Sequence, residues 1–181
     1  MIVNIAGVVL AGGQSARMGL NKALLPWGDH TLLQHAVNTL KQTWVCDVFV
    51  SGDYPDFKCI EDPSSIRGKG PALAMGHSLQ TLITKGYQGV LFVPVDMPLL
   101  QVDLLNQLIK TATNTYFELS VLPALLMTLP VVTPPSVHGL LRAVDAQPMP
   151  LTSQCHKQFN NINTPEQWQA VILTLTNSSK H

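Results

Sequence analysis

The sequence predicts an α/β protein, a three-layer, Rossmann-like sandwich with a mostly parallel central sheet. Three observations predict it. Short apolar runs alternate along the chain with segments whose apolar residues recur at helical spacing, which is the pattern of parallel βαβ units. Two of those runs, residues 5–10 and 90–93, are continuously apolar and β-branched, as strands buried on both faces are. Polar, acidic and glycine residues close the strands: Gly12 and Gly13 after the first, Ser51, Gly52 and Asp53 after the second, then Glu61 and Asp62, then Asp96. Ligands of an open parallel sheet bind at those carboxyl ends, where the crossover direction changes.

Each element follows from local pattern. After the first strand, residues 23–27 form a short apolar bridge and Gly28-Asp29 a turn. Thr31 reads as the N-cap of a helix, because Leu32, Leu33, Ala36, Val37 and Leu40 fall on one face. Residues 45–50 read as the second strand and 57–60 as a short third. Residues 63–70, rich in Ser, Gly and basic side chains, read as a surface loop. Pro71 suits the first position of a helix that buries Leu73, Met75, Leu79, Leu82 and Ile83. The strand at 90–93 ends in Pro94-Val95-Asp96-Met97-Pro98, and the next helix turns Val102, Leu105, Leu108 and Ile109 inward.

Residues 116–122 read as a further strand. Beyond it Pro123, Pro130, Pro134 and Pro135 interrupt an apolar region in which only residues 137–144 have a helical pattern. Residues 159–163 read as a last short strand. Thr164-Pro165-Glu166-Gln167 is a helix start, with Thr164 as cap, Pro165 at the first position and Gln167 completing a capping box. Trp168, Val171, Ile172 and Leu175 supply that helix with its apolar stripe.

Composition limits what such a fold does. A chain of 181 residues, 46% hydrophobic and 12% charged, builds a substantial core and reads as one domain spanning residues 1–181. Its formal net charge of zero argues against a nucleic-acid partner held by bulk electrostatics, so any bound anion is met by a few local groups. The three cysteines have no metal or disulfide spacing, and the first apolar run stops too early for a signal peptide. No apolar segment reaches the roughly 20 residues that cross a bilayer. The expected setting is cytoplasmic.

The stretch IAGVVLAGGQSARMGLNK, residues 5–22, carries the strongest chemical signal. A strand that ends in paired glycines lets backbone approach a ligand closely, and Arg17 and Lys22 add positive charge beside the exposed amides. That combination cradles a polyanion such as a nucleoside triphosphate. It is neither a Walker A loop nor a G-x-G-x-x-G fingerprint. Asp96, boxed between Pro94 and Pro98 at a strand end, suits a hard cation such as Mg²⁺; its plainer reading is a helix or turn cap. Asp62 reads either as a ligand contact or as a solvated loop acid. Asn161 and Asn163, on alternate residues of an extended segment, present both amides on one side, although Asn163 would equally serve the helix start. The six histidines fall in no metal-binding or triad pattern.

Leu10, Ala11, Gly12, Gly13, Ser15, Arg17, Met18, Gly19 and Lys22 together match L-A-G-G-x-S-x-R-M-G-x-x-K. The stretch thereby resembles the signature of the molybdenum cofactor guanylyltransferases, a branch of the sugar-nucleotidyltransferase-like fold. Pro94 to Pro98 resembles that family's P-x-D-x-P box, Gly70-Pro71-Ala72-Leu73-Ala74 its G-P-L-A-G stretch, and Asn161-Ile162-Asn163-Thr164-Pro165-Glu166 its N-x-N-T-P-E element. Ser51 stands where the family often has asparagine. The resemblance spans residues 5–110 and 159–170, and it implies the nucleotide-diphospho-sugar transferase type of fold.

It also implies nucleotide binding by Leu10, Ala11, Gly12, Gly13, Lys22, Ser51, Asp62 and Asp96, with Asp96 holding Mg²⁺. Lys22 would stabilise charge at the α-phosphate, Arg17 would clamp the outer phosphates, and Asn161 and Asn163 would orient substrate or metal-bound water. The reaction implied is transfer of GMP from GTP to the phosphate of molybdopterin or of the molybdenum cofactor, with release of pyrophosphate. Cofactor-biosynthesis proteins and molybdoenzymes are the further partners the resemblance implies. Gly12 favours guanine, since the sister cytidylyltransferases tend to read L-A-A-G. The alternatives are a CTP-dependent molybdopterin cytidylyltransferase, another small nucleotidyltransferase, or a non-catalytic nucleotide-binding module.

Overall fold

The computed structural model describes residues 4–12 and 21–178. Strand β1 (Ile5–Leu10) leads through two short strands, β2 (Pro26–Trp27) and β3 (His30–Thr31), into helix α1 (Leu32–Lys41). Strands β4 (Asp47–Ser51) and β5 (Cys59–Ile60), helix α2 (Pro71–Thr84), strand β6 (Gly89–Pro94) and helix α3 (Val102–Thr111) follow. The chain then forms β7 (Thr115–Phe117), β8 (Ser120–Leu126), α4 (Val137–Ala143), β9 (Gln147–Met149) and α5 (Pro165–Ser178). Seven strands make one sheet in the order β5-β4-β1-β6-β8-β7-β9, with β2 and β3 paired separately.

The sheet is mostly parallel, but not throughout. Its β5-β4-β1-β6 half is parallel, β8 runs antiparallel to both β6 and β7, and β9 returns parallel to β7. Successive side chains of a strand alternate between faces, and this alternation divides the core into two apolar layers. Ile5 and Val9 of β1 and Leu91 and Val93 of β6 pack with α1 and α3. Ala6, Val8 and Leu10 of β1 and Val90 and Phe92 of β6 pack with α2 and α4. Gly7 suits this packing, because a Cβ there would meet Leu40 of α1 at 3.2 Å and Val45 at 3.3 Å and those side chains would have to give way.

Thr31 caps α1 as its sequence predicts, its Oγ1 accepting from Gln34 N–H at 3.2 Å. Thr31→Ala is expected to lower stability by about 1 kcal/mol. In differential scanning calorimetry that corresponds to a midpoint drop of about 2–4 °C for a chain of this size.

Four expectations need correction, and one strand is new. Residues 116–122 are not one strand but the turn of a hairpin: β7 ends at Phe117 and β8 begins at Ser120. Pro123, which looked like a breaker, lies inside β8 next to an irregularity in the β7–β8 register. The register pairs of β8 with β6 begin only at Ala124, so the missing proline N–H falls outside that ladder. Residues 159–163 form no strand; a 3₁₀ helix, Ser153–Phe159, precedes an extended segment that is joined to the sheet region by a bond from Ile162 N–H to Asp96 C=O at 2.9 Å. The third strand is confined to Cys59–Ile60, and β9 is an element whose proline at position 148 hid it.

Candidate active site

The centre of the site follows from the register of two parallel strands. Leu10 of β1 pairs with Pro94 of β6, so the chain leaves both strands at the same edge of the sheet. Ala11 N–H donates to Ser51 C=O and Val95 N–H donates to Leu10 C=O, each at 3.2 Å. Ala11-Gly12 and Val95-Asp96 therefore lie side by side. β1 is also where the topology switches, since its crossovers lead to β4 on one side and, later, to β6 on the other.

Lys22 opens a single 3₁₀ turn, Lys22–Leu24, capped by the Asn21 side chain. Its Nζ donates to Asp96 Oδ2 at 3.2 Å and to Asn163 Oδ1 at 2.7 Å. The two charged side chains are only 15% and 23% exposed, so the attraction is less screened than at an open surface. Residues separated by up to 141 positions are thus joined at one ammonium.

Asn163 owes its place to its neighbours. Ile162 is fully buried, and its N–H holds the segment to the Asp96 carbonyl. The capping box completes the hold: Gln167 Oε1 accepts from Asn163 N–H at 2.7 Å and Thr164 N–H at 3.2 Å, while Thr164 Oγ1 accepts from Gln167 N–H at 3.3 Å. A local helix-start signature therefore also aims a side chain into the site.

A cleft of two adjoining lobes surrounds this cluster. The first, about 330 Å³, is bounded by Gly12, Lys22, Asp96, Asn161 and the start of β8 at Ser120 and Val121. The second, about 590 Å³, is bounded by Gly52, Asp53, Asp62, Arg67 and Gly70. Gly12 and Pro71 line both. A Cβ on Gly12 would meet only Ser51 O, at an ordinary 3.6 Å, so packing among the described residues does not demand glycine there. What the missing side chain leaves is room in the cleft.

Asp62 Oδ1 is buried without a hydrogen-bond partner among the described residues. Burial pushes its carboxyl above the usual carboxylate range, opposed by the nearby His77 and Arg67. Ser51 is 1% exposed, with its carbonyl accepting from Ala11 N–H and its hydroxyl also without a partner among the described residues. Orphaned buried polar atoms are uncommon. Asp62 sits on the wall of the second lobe, whereas Ser51 sits behind it.

Of the residues singled out from the sequence, Leu10, Ala11, Gly12, Lys22, Asp96 and Asn161 line the first lobe, Asn163 binds Lys22, and Asp62 lines the second. Gly13, Ser15, Arg17, Met18 and Gly19 lie outside the described residues. Sequence reasoning missed Asn21, Tyr54, Arg67 and residues 120–122. Asn21 had a readable signal, since asparagine directly before a helical turn is a capping signature. The start of β8 had none, because only the antiparallel return of the hairpin brings it to the cleft.

The donor set fits magnesium shared with a substrate. Asp96 supplies a carboxylate oxygen beside the amide-bearing Asn161 and Asn163, which suits a hard cation that takes few protein ligands. No group of three or more His, Cys, Asp or Glu is arranged to hold a metal among the described residues. Such an ion would depend on phosphate oxygens and water for the rest of its shell.

The fold and the family match make the chain a nucleotidyltransferase. Two solved structures share the frame: a nucleotidyl transferase from Methanothermobacter, with TM-score 0.70 and 14% identity over 97% of this chain and 99% of that one, and the molybdopterin-guanine dinucleotide biosynthesis protein A of Archaeoglobus fulgidus, with TM-score 0.65 and 15% identity over 95% and 99%. The chain belongs to the MobA-like NTP transferase family, whose model matches residues 7–149. A relative from Xanthomonas euvesicatoria pv. vesicatoria, named molybdenum cofactor guanylyltransferase, is 33% identical over 184 residues, covering 92% of this chain and 93% of its own length. The family match ends before Asn161 and Asn163, so the bond from Lys22 to Asn163 and the place of Asn161 on the first lobe are findings of the structure.

Proposed function

We propose that residues 1–181 act as one domain that transfers GMP from GTP to the terminal phosphate of molybdopterin, or of its molybdenum-loaded form. An acceptor phosphate oxygen attacks the α-phosphorus, the bond from that phosphorus to the bridging oxygen of the β-phosphate breaks, and pyrophosphate leaves. The observation that carries this reading is the Lys22 ammonium held between Asp96 and Asn163 at the end of β1, in a cleft of two adjoining lobes. The names of the relatives supply the acceptor and the base.

In this reading Lys22 stabilises charge that grows at the α-phosphate, and Asn163 fixes its direction. Gly12 lets the backbone approach the phosphates. Arg17 clamps the outer phosphates, as its place in the loop implies. Asp96 would hold Mg²⁺, which when bound neutralises phosphate charge. Asp62, on the wall of the second lobe, is the carboxylate assigned to contact the nucleotide there. Asn161 faces the first lobe, where the acceptor phosphate would enter. Little covalent chemistry falls to the protein, because positioning and charge neutralisation do most of it.

The setting we infer is cytoplasmic, with cofactor-biosynthesis proteins and molybdoenzymes as downstream partners and no nucleic acid. No helix among the described residues is long and apolar enough to cross a membrane, and Cys46, Cys59 and Cys155 are all free thiols.

Incubation with GTP, Mg²⁺ and molybdopterin is expected to release pyrophosphate and form the guanine dinucleotide. Nucleotide binding without pyrophosphate release would leave a binding module instead. Thermal shift with GTP, CTP and UTP tests the base, because at equal concentration the ligand that binds the folded state more tightly stabilises it more. The largest midpoint rise is expected with GTP, and a larger one with CTP would overturn the guanine assignment.

A further inference from the structure

We propose that Tyr54 is a positioning residue for Lys22, its hydroxyl tying the end of β1 to the turn that carries the lysine. Tyr54 Oη donates to Ala11 C=O at 3.0 Å and accepts from Asn21 Nδ2 at 3.0 Å. Asn21 Oδ1 accepts from Ala23 N–H at 3.1 Å, capping the Lys22–Leu24 turn, and also lies 3.2 Å from Tyr54 Oη. The phenol's one proton goes to the nearer Ala11 C=O or to Asn21 Oδ1, while its oxygen accepts from Asn21 Nδ2, so either choice joins Tyr54 to Asn21. One side chain thereby grips the residues on both sides of the glycine loop.

Tyr54 is itself held firmly. Its N–H donates to Cys59 Sγ at 3.3 Å, and the Cys59 thiol donates to its C=O at 3.0 Å, which fixes its main chain to β5. Its ring lies against Gly52, where a Cβ would come within 2.8 Å of Cε2 and where φ is +141°. Only glycine accommodates both that conformation and that contact. Burial raises the phenol's pKa from its ordinary value, so it remains a protonated donor near neutral pH.

Lys22 is the first residue of the turn that Asn21 caps, so a small rotation of that turn carries Nζ away from Asp96 and Asn163. Misplacement of about 1 Å is enough to matter where catalysis depends on oriented charge. The hold on Lys22 is a matter of geometry; its consequence for turnover rests on the role of Lys22 proposed above.

The test uses Tyr54→Phe, which keeps the ring on Gly52 and removes the hydroxyl. Acylation of lysine amines by an N-hydroxysuccinimide ester, read residue by residue by mass spectrometry, is expected to modify Lys22 about five- to tenfold faster than in wild type, the size expected from losing one or two hydrogen bonds. Lys58 and Lys85 should be unchanged. Asn21→Ala should produce the same change, and the double variant little more, because both act through one network. With GTP and molybdopterin, turnover should fall about tenfold while KM for GTP stays within about threefold. Unchanged labelling of Lys22, or an equal rise at every lysine, overturns the proposal whatever the activity. Selective labelling with no pyrophosphate from wild type upholds the hold on Lys22 and sinks only the reaction proposed for the site. Selective labelling with unaltered turnover in an active enzyme does the same for the role given to Lys22.

Discussion

Asp96→Asn is expected to lower turnover by about two orders of magnitude or more, equivalent to about 3 kcal/mol of barrier, while the fold survives. The substitution is isosteric and keeps an oxygen that accepts from Lys22 Nζ. The backbone carbonyl that anchors Ile162 is untouched, so the Asn161–Asn163 segment stays in place. What disappears is the negative charge, and with it the hard ligand a divalent cation needs. Pyrophosphate release at saturating GTP and molybdopterin measures the loss, and a thermal melt checks the fold. Turnover near that of wild type would remove Asp96 from the mechanism.

Lys22→Met is expected to cost about a hundredfold in turnover, with a smaller rise in KM for GTP, about tenfold or less. Methionine preserves most of the apolar stem of a side chain that is 15% exposed, so the packing loss is slight. The ammonium is lost, and Asp96 and Asn163 are left as acceptors without their common donor. Removing one preorganised donor from developing charge costs about 10²–10³ in turnover where it has been measured. A variant that weakens GTP binding alone, with turnover intact, would make Lys22 a binding residue only. Because the two side chains touch, the double variant should lose less than the sum of the single losses.

The first half of the fold was legible because local pattern and tertiary role coincide there. The run at Ile5–Leu10 reads as a doubly buried strand, and both of its faces do meet apolar layers. Thr31 and Pro71 mark helix starts through caps that need no distant partner. The second half was harder for a physical reason. Pro123 is a strand breaker by propensity, yet β8 carries it beside a register irregularity, and nothing local announces an irregularity. The strand expected at residues 159–163 is absent, and what ties that segment to the sheet region is one backbone bond, from Ile162 N–H to Asp96 C=O.

The site divides in the same way. The amino-acid order alone determined the glycine-ended first strand, the cationic residue that follows its loop, the acid boxed by prolines and the paired asparagines before a capped helix. Those are short-range patterns, set by backbone freedom and hydrogen-bonding capacity within a few residues. Tertiary structure decided that Lys22, Asp96 and Asn163 share one ammonium, that Tyr54 bridges Ala11 and Asn21, and that the start of β8 walls the cleft. Contacts of that kind depend on strand order and register, which arise from burying two faces of one sheet at once. No stretch of sequence encodes them separately.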